Sequence, residues 1–138
     1  MSTVPFKLIT PTQIAFEGDA ELVIVVTTEG EEGILPRHAP FLAALRPGVL
    51  RANVRGPDAG ARRELATGEG FIQALPDRVT VLVDEALRFE DVDVAAAREE
   101  LAAALARQKT EAIDSPAFAR EQAVIDFAHA KLRLTGHS

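Results

Sequence analysis

The sequence predicts an α+β fold, an N-terminal antiparallel β-sandwich followed by a C-terminal antiparallel two-helix hairpin. Three observations carry that expectation. Short alternating segments fill residues 5 to about 88, turn signals punctuate them at short intervals, and from Val94 glycine and proline give way to alanine. Alternation gives a strand one buried and one wet face. Many short strands with frequent turns favour a sandwich or barrel over alternating β-α-β units. The boundary falls at Glu90-Asp91-Val92-Asp93, giving a β-sandwich domain over 1–89 and a helical hairpin over 90–138.

Phe6-Lys7-Leu8-Ile9 opens the strand series and Thr10-Pro11 ends it; Glu17-Gly18-Asp19 is the next turn signal. Strand-like Val23–Thr28 and Phe41–Leu45 bracket the run Glu29–Pro40, which holds two glycines, two prolines, three carboxylates and a histidine. Glycine opens backbone angles closed to other residues and proline removes a ladder donor, so this run predicts a shaped loop. Pro47-Gly48, Gly56-Pro57-Asp58-Ala59-Gly60 and Pro76-Asp77 mark further turns, while Glu64-Leu65-Ala66 and Arg78–Val83 alternate. Gly68-Glu69-Gly70-Phe71-Ile72 reads as a turn or bulge entering a strand that buries Phe71.

The first helix runs from Val94 to about Lys109, with Asp93 as N-cap and Arg107 and Lys109 at the negative end of its dipole. Ser115-Pro116 supplies a cap and a first-turn proline for a second helix to about Leu134, which Gly136 can end. The short break between them favours an antiparallel pair. Leu101 and Leu105 form one i,i+4 pair; Phe118, Ile125 and Leu132 lie near one stripe of the second helix. Alanine buries little area at about 25 cal/mol per Å², so the helices should separate at modest cost.

Composition narrows the function. The chain has 138 residues, net charge −6 and no cysteine. Acidity argues against a nucleic-acid footprint and against direct insertion into an anionic lipid surface. No segment approaches the roughly 18 to 20 apolar residues of a membrane-spanning helix, and the first residues lack a secretory signal. A protein partner is therefore the expected route to any membrane. Disulfides and thiolate metal sites are excluded.

Candidate chemistry is sparse. His38, His129 and His137 show no metal-ligand spacing. An imidazole can serve as a general base, but no nucleophile stands beside His38 in sequence, which favours a structural or interface role. Glu29, Glu31 and Glu32 lack the further oxygen ligands of a calcium loop; they read as solvated loop charges or as a polar contact surface for a partner. The glycines form no phosphate loop. Arg98, Arg107, Lys109, Arg120, Lys131 and Arg133 alternate with acids along the helices, as a solvated face or as cations offered to an acidic partner.

Taken in order, six fragments spread from Phe6 to Asp93 resemble the epsilon subunit of bacterial F-type ATP synthases. They are Phe6–Pro11; Gly30-Glu31-Glu32-Gly33-Ile34-Leu35-Pro36-Arg37-His38-Ala39-Pro40, usually with glycine in place of Arg37; Leu45–Leu50; Gly68–Ile72; Val79–Ala86; and Glu90–Asp93. The resemblance implies a sandwich plus helical hairpin. It also implies a non-catalytic rotor subunit that binds gamma, seats it on the c-subunit ring, and sits at the cytoplasmic face of the bacterial inner membrane without entering the lipid. It further implies a hairpin that extends along gamma, meets the catalytic alpha/beta ring and obstructs ATP hydrolysis.

Carried over by position, Glu31 falls at the c-ring contact with Glu29 and Glu32 beside it, and His38, Ala39 and Pro40 face gamma. No cofactor is implied here. Some relatives bind ATP through Ile/Leu-Asp-x-x-Arg-Ala, whereas this chain has Val92-Asp93-Val94-Ala95-Ala96-Ala97. Ala96 stands in the arginine position, and Arg98 points about 200° away around the helix. A free-standing adaptor of the same architecture is the alternative, and an enzyme using His38 and the glutamates is a third reading.

Overall fold

In the computed structural model, which describes residues 2–55 and 62–137, strand β1 (Val4–Ile9) alternates as predicted: Val4, Phe6 and Leu8 are buried and Pro5 and Lys7 are exposed. The other strands are β2 (Ile14–Thr27), β3 (Gly30–Ile34), β4 (Phe41–Leu45), β5 (Gly48–Val54), β6 (Arg62–Thr67), β7 (Gly70–Leu75), β8 (Arg78–Val83) and the short β9 (Ala86–Leu87). The predicted turn at Gly56–Gly60 lies outside the described residues.

β2 is the organising strand. Its first half pairs with β1, and its second half pairs with β3 on one side and β5 on the other. The remaining order is β1-β8-β7-β4, with β4 returning to β2 at Thr27↔Leu45, and β5-β6-β9 on the other flank. Two layers result, joined through one strand. Inward residues of both, among them Phe6, Leu8, Val81 and Ile72 from one and Val23, Val25, Leu50 and Leu65 from the other, form the main apolar core.

Several expectations change. Part of the run Glu29–Pro40 is not loop, since Gly30–Ile34 pairs with β2 as strand β3 and only the flanking residues turn. Glu17-Gly18-Asp19 is not a turn but the middle of β2, opposite Lys7, Phe6 and Pro5. The ring of Phe16 packs over Gly18 and against Phe6, with ring centroids 5.8 Å apart, which makes the weak strand former tolerable. The pairing is not wholly antiparallel, since β1 and β8 run parallel from Phe6↔Val79 to Ile9↔Leu82. β6 does not alternate: Leu65, Ala66 and Thr67 are all buried, because a helix covers its outer side. Phe71 is exposed, and Ile72 takes its place in the core.

The helices α1 (Val94–Gln108) and α2 (Pro116–Leu134) start as predicted. The Asp93 carboxylate accepts from the Ala96 amide at 3.0 Å, and the Ser115 hydroxyl accepts from the Phe118 amide at 3.1 Å. α2 lies on the outer face of β5 and β6, where Phe127 and Ala130 pack against Ala66 with Val49, Leu87 and Leu134 around them. The other buried apolar groups of the helix pair are small or few: Ala97 and Ala104 of α1 and Ile125, Ala128 and Leu132 of α2. Leu105 stays exposed, so the anticipated Leu101–Leu105 pair does not form a seam.

Candidate functional site

The loop between β2 and β3 turns on Thr27. Its hydroxyl donates to the Gly30 carbonyl at 2.7 Å and accepts the Glu29 amide at 3.1 Å, and Gly30 has φ 121, open to glycine alone at low energy. Glu29 is thereby held at an exposed tip. Glu31 and Glu32 follow on β3, where successive side chains take opposite faces. Glu31 accepts from Arg51 Nη2 of β5 at 2.7 Å on the outer face. Glu32 turns toward His38, Oε1 to Nε2 3.8 Å. The three glutamates are therefore not one cluster but a free tip, a salt-bridged carboxylate and a histidine partner.

His38 sits in the β3–β4 connection. Its Nδ1 lies 2.7 Å from the Ala39 carbonyl and its ring meets Phe41 edge-on at 5.7 Å. The His38 amide donates to the Leu35 carbonyl at 3.1 Å, closing a β-turn with Pro36 second and Arg37 third. Arg37 has φ 66. Positive φ at the third position is the type II pattern, which wants glycine; an arginine there is strained by about 1–2 kcal/mol. No serine, threonine or further carboxylate hydrogen-bonds to His38 among the described residues, so the pieces of a hydrolytic site are not assembled around it. No group of three or more histidines and carboxylates arranged to hold a metal occurs among the described residues.

Half of the helix cations are engaged inside the hairpin. Lys131 is only 7 % exposed; its Nζ donates to Glu100 Oε2 at 2.7 Å and lies 4.7 Å from the Phe127 ring centre. Arg107 Nε donates to Glu121 Oε2 at 3.0 Å. That hydrogen bond, then the carboxylate's charge, raises the Arg107 pKa from its ordinary value. Arg98 Nη2 reaches His137 Nδ1 at 3.4 Å, and Gln108 Nε2 donates to Gln122 at 2.9 Å. Lys131 is thus not offered to solvent, contrary to expectation. Lys109, Arg120 and Arg133 are exposed and make no ion pair among the described residues. The helix pair is held by polar groups where its alanines supply little.

A measurable asymmetry follows. Glu100→Gln leaves the buried Lys131 ammonium with a neutral acceptor and should lower stability by about 1–2 kcal/mol in urea unfolding. Lys131→Met keeps the stem on Phe127 and removes both charges' need for each other, so its effect should stay under about 1 kcal/mol. Equal losses would show that the pair's own attraction, not the desolvated ammonium, sets the balance.

One surface escaped the sequence reading. Leu42 (73 % exposed), Phe71 (58 %) and Leu82 (51 %) stand on the outer face of β4, β7 and β8, with Phe71 opposite Ala44 on one side and Leu82 on the other. Scattered exposed leucines need no explanation, but three large apolar groups on adjacent strands form a patch suited to a protein partner. The strand register decides it: Val79, Val81 and Val83 are the buried side of β8, and their partners are Ala74, Ile72 and Gly70, which sends Phe71 outward. A shallow groove of about 290 Å³ links this patch to the acidic tip, lined by Glu29, Glu31, Glu32, Phe41 and Leu42.

Comparison with known proteins fits this arrangement. The family model for the β-sandwich domain of the ATP synthase delta/epsilon chain matches residues 3–89. The ATP synthase epsilon chain of Chromobacterium violaceum is 37 % identical over 135 residues, 96 % of this chain and 93 % of that one. The chain belongs to the ATP synthase epsilon family. The epsilon chain of Neisseria meningitidis serogroup B is 37 % identical over 133 residues, and that of Shouchella clausii 34 % over 137, covering 99 % of this chain and 98 % of its own. In fold, the chain is similar to one in the cryo-EM structure of the Euglena gracilis mitochondrial ATP synthase, OSCP/F1/c-ring in rotational state 1. The TM-score is 0.80 at 19 % identity, over 99 % of this chain and 83 % of that one. At that identity the likeness is one of fold. The matched sandwich region ends before the helical pair of this chain, and no helix among the described residues is long and apolar enough to cross a membrane.

Proposed function

We propose that this chain is a non-catalytic central-stalk subunit of the proton-translocating F-type ATP synthase, which joins gamma to the c-ring. In this reading it sits peripherally at the cytoplasmic face of the bacterial inner membrane, and its C-terminal hairpin inhibits ATP hydrolysis by reaching the catalytic alpha/beta ring. The observation that carries the reading is the apolar patch Leu42–Phe71–Leu82 on a doubly layered sandwich, beside the loop of His38, Ala39 and Pro40. Gamma covers that patch and loop. Glu29 at its exposed tip and Glu31 on β3 meet the c-ring, so the two contacts are adjacent and a displacement of one reaches the other through few bonds.

The hairpin supplies the regulatory part. Its apolar seam is thin and its polar pairs exchange for water or for partner groups at small net cost, as a two-state element requires. When it opens, Arg98, Arg107 and Lys131 lose Glu100, Glu121 and the tail, and join Lys109, Arg120 and Arg133 as cations available to an acidic partner. Residues 1–89 and 90–138 then act as separate functional units.

The test uses gamma and a truncated chain. The main core is built wholly from residues between Val4 and Val83, so residues 1–89 should fold and bind recombinant gamma. Complex assembled with that fragment should hydrolyse ATP several-fold faster than complex with the full chain. Failure of the full chain to bind gamma would sink the reading; equal hydrolysis would remove the hairpin as the brake and leave the joint.

A further inference from the structure

The β-turn Leu35–His38 places Arg37 in the left-handed region, φ 66, at the position where a type II turn takes glycine. Asparagine would fit the same backbone better than arginine does. A strained position of this kind points to use of the side chain rather than of the backbone. Arg37 is exposed and makes no ion pair or hydrogen bond among the described residues, although Glu32 lies within the same loop system and pairs instead with His38. Large apolar groups flank it on both sides of the loop: Leu35 is 59 % exposed and Leu42 is 73 % exposed.

We propose that Arg37 is a recognition residue whose guanidinium takes a carboxylate, an aspartate or glutamate side chain, on the protein that covers the Leu42–Phe71 patch. An arginine framed by exposed leucines has the composition of an interface anchor, where partner contact removes water and a planar fork grips two carboxylate oxygens at once. Pro36 and the closed turn fix its backbone, so only the side chain is left to order on binding. Lysine does not replace the fork. The partner's identity as gamma rests on the function proposed above; the carboxylate contact is additional to it.

The experiment compares the full chain with Arg37→Gly, Arg37→Asn and Arg37→Lys, by thermal melting of the free chain and by binding to recombinant gamma at two salt concentrations. The expected result is melting at or above wild type for Arg37→Gly and Arg37→Asn. Their affinity for gamma should be about 5- to 30-fold weaker with a flatter salt dependence, and that of Arg37→Lys intermediate. Unchanged affinity in Arg37→Asn, while wild type binds, overturns this inference alone. Melting well below wild type in both neutral variants also overturns it, since the residue would then serve the turn. Wild type that does not bind gamma removes the function proposed above and this inference together.

Discussion

Gly70→Ala should disrupt the sandwich. An added Cβ there would overlap the Leu82 carbonyl oxygen and lie 2.7 Å from Val83 Cα and 2.8 Å from the Leu82 carbonyl carbon. All three are backbone atoms of β8, and Gly70 pairs with Val83 on that side and with Leu45 of β4 on the other. Nothing can rotate aside. Relief requires β7 and β8 to part at their first rung, and the expected loss is about 3 kcal/mol or more, a drop in melting temperature of about 10 °C or more. Gly68→Ala is the control. There the methyl meets the Asp84 carboxylate, the free end of a side chain on the surface, which can swing away. Its loss should stay under about 1 kcal/mol. If both variants melt alike, backbone proximity at Gly70 is not what selects glycine.

The second large effect concerns binding. Phe71→Glu should leave folding almost unchanged, because the ring is mostly in water already. Under the function proposed above it should weaken binding to gamma by about 30-fold or more, since losing a buried aromatic anchor is worth about 2 kcal/mol and the new charge would be left without water or partner. Titration calorimetry with recombinant gamma measures this directly. Leu105→Glu, on an exposed residue of α1 far from the patch in the chain, should not weaken that complex. A Phe71→Glu chain that binds as wild type would move the gamma contact to another face.

Strand parity was legible wherever one side of the strand is apolar and the other is not. β1 and β8 satisfy that condition, whereas β6, also expected to alternate, is buried on both sides where α2 covers it. β7 does not satisfy it either, because Phe71 and Ile72 are both large and apolar, and only the register with β8 decides between them. Gly18 was misread because glycine signals both turns and sites of close ring packing, and sequence distance does not tell which. Helix ends were legible because Asp93, Ser115 and Pro116 act on backbone groups two or three residues away. The contacts that tie the helices together were not, since Glu100 and Lys131 are 31 positions apart and Arg107 and Glu121 are 14. For the same reason the acidic run read as one patch, whereas pleating sends Glu31 to Arg51 and Glu32 to His38.

The parallel pairing of β1 with β8 has a consequence for biosynthesis. Phe6 finds Val79 only after more than half of the polypeptide has been made, so a growing chain leaving the ribosome can pair its first strand with β2 but cannot seal that strand's other edge early. Such long-range closure is slow compared with local hairpins. The last 49 residues emerge afterwards, and a helical pair that nucleates locally meets a platform at Val49 and Ala66 that is already finished.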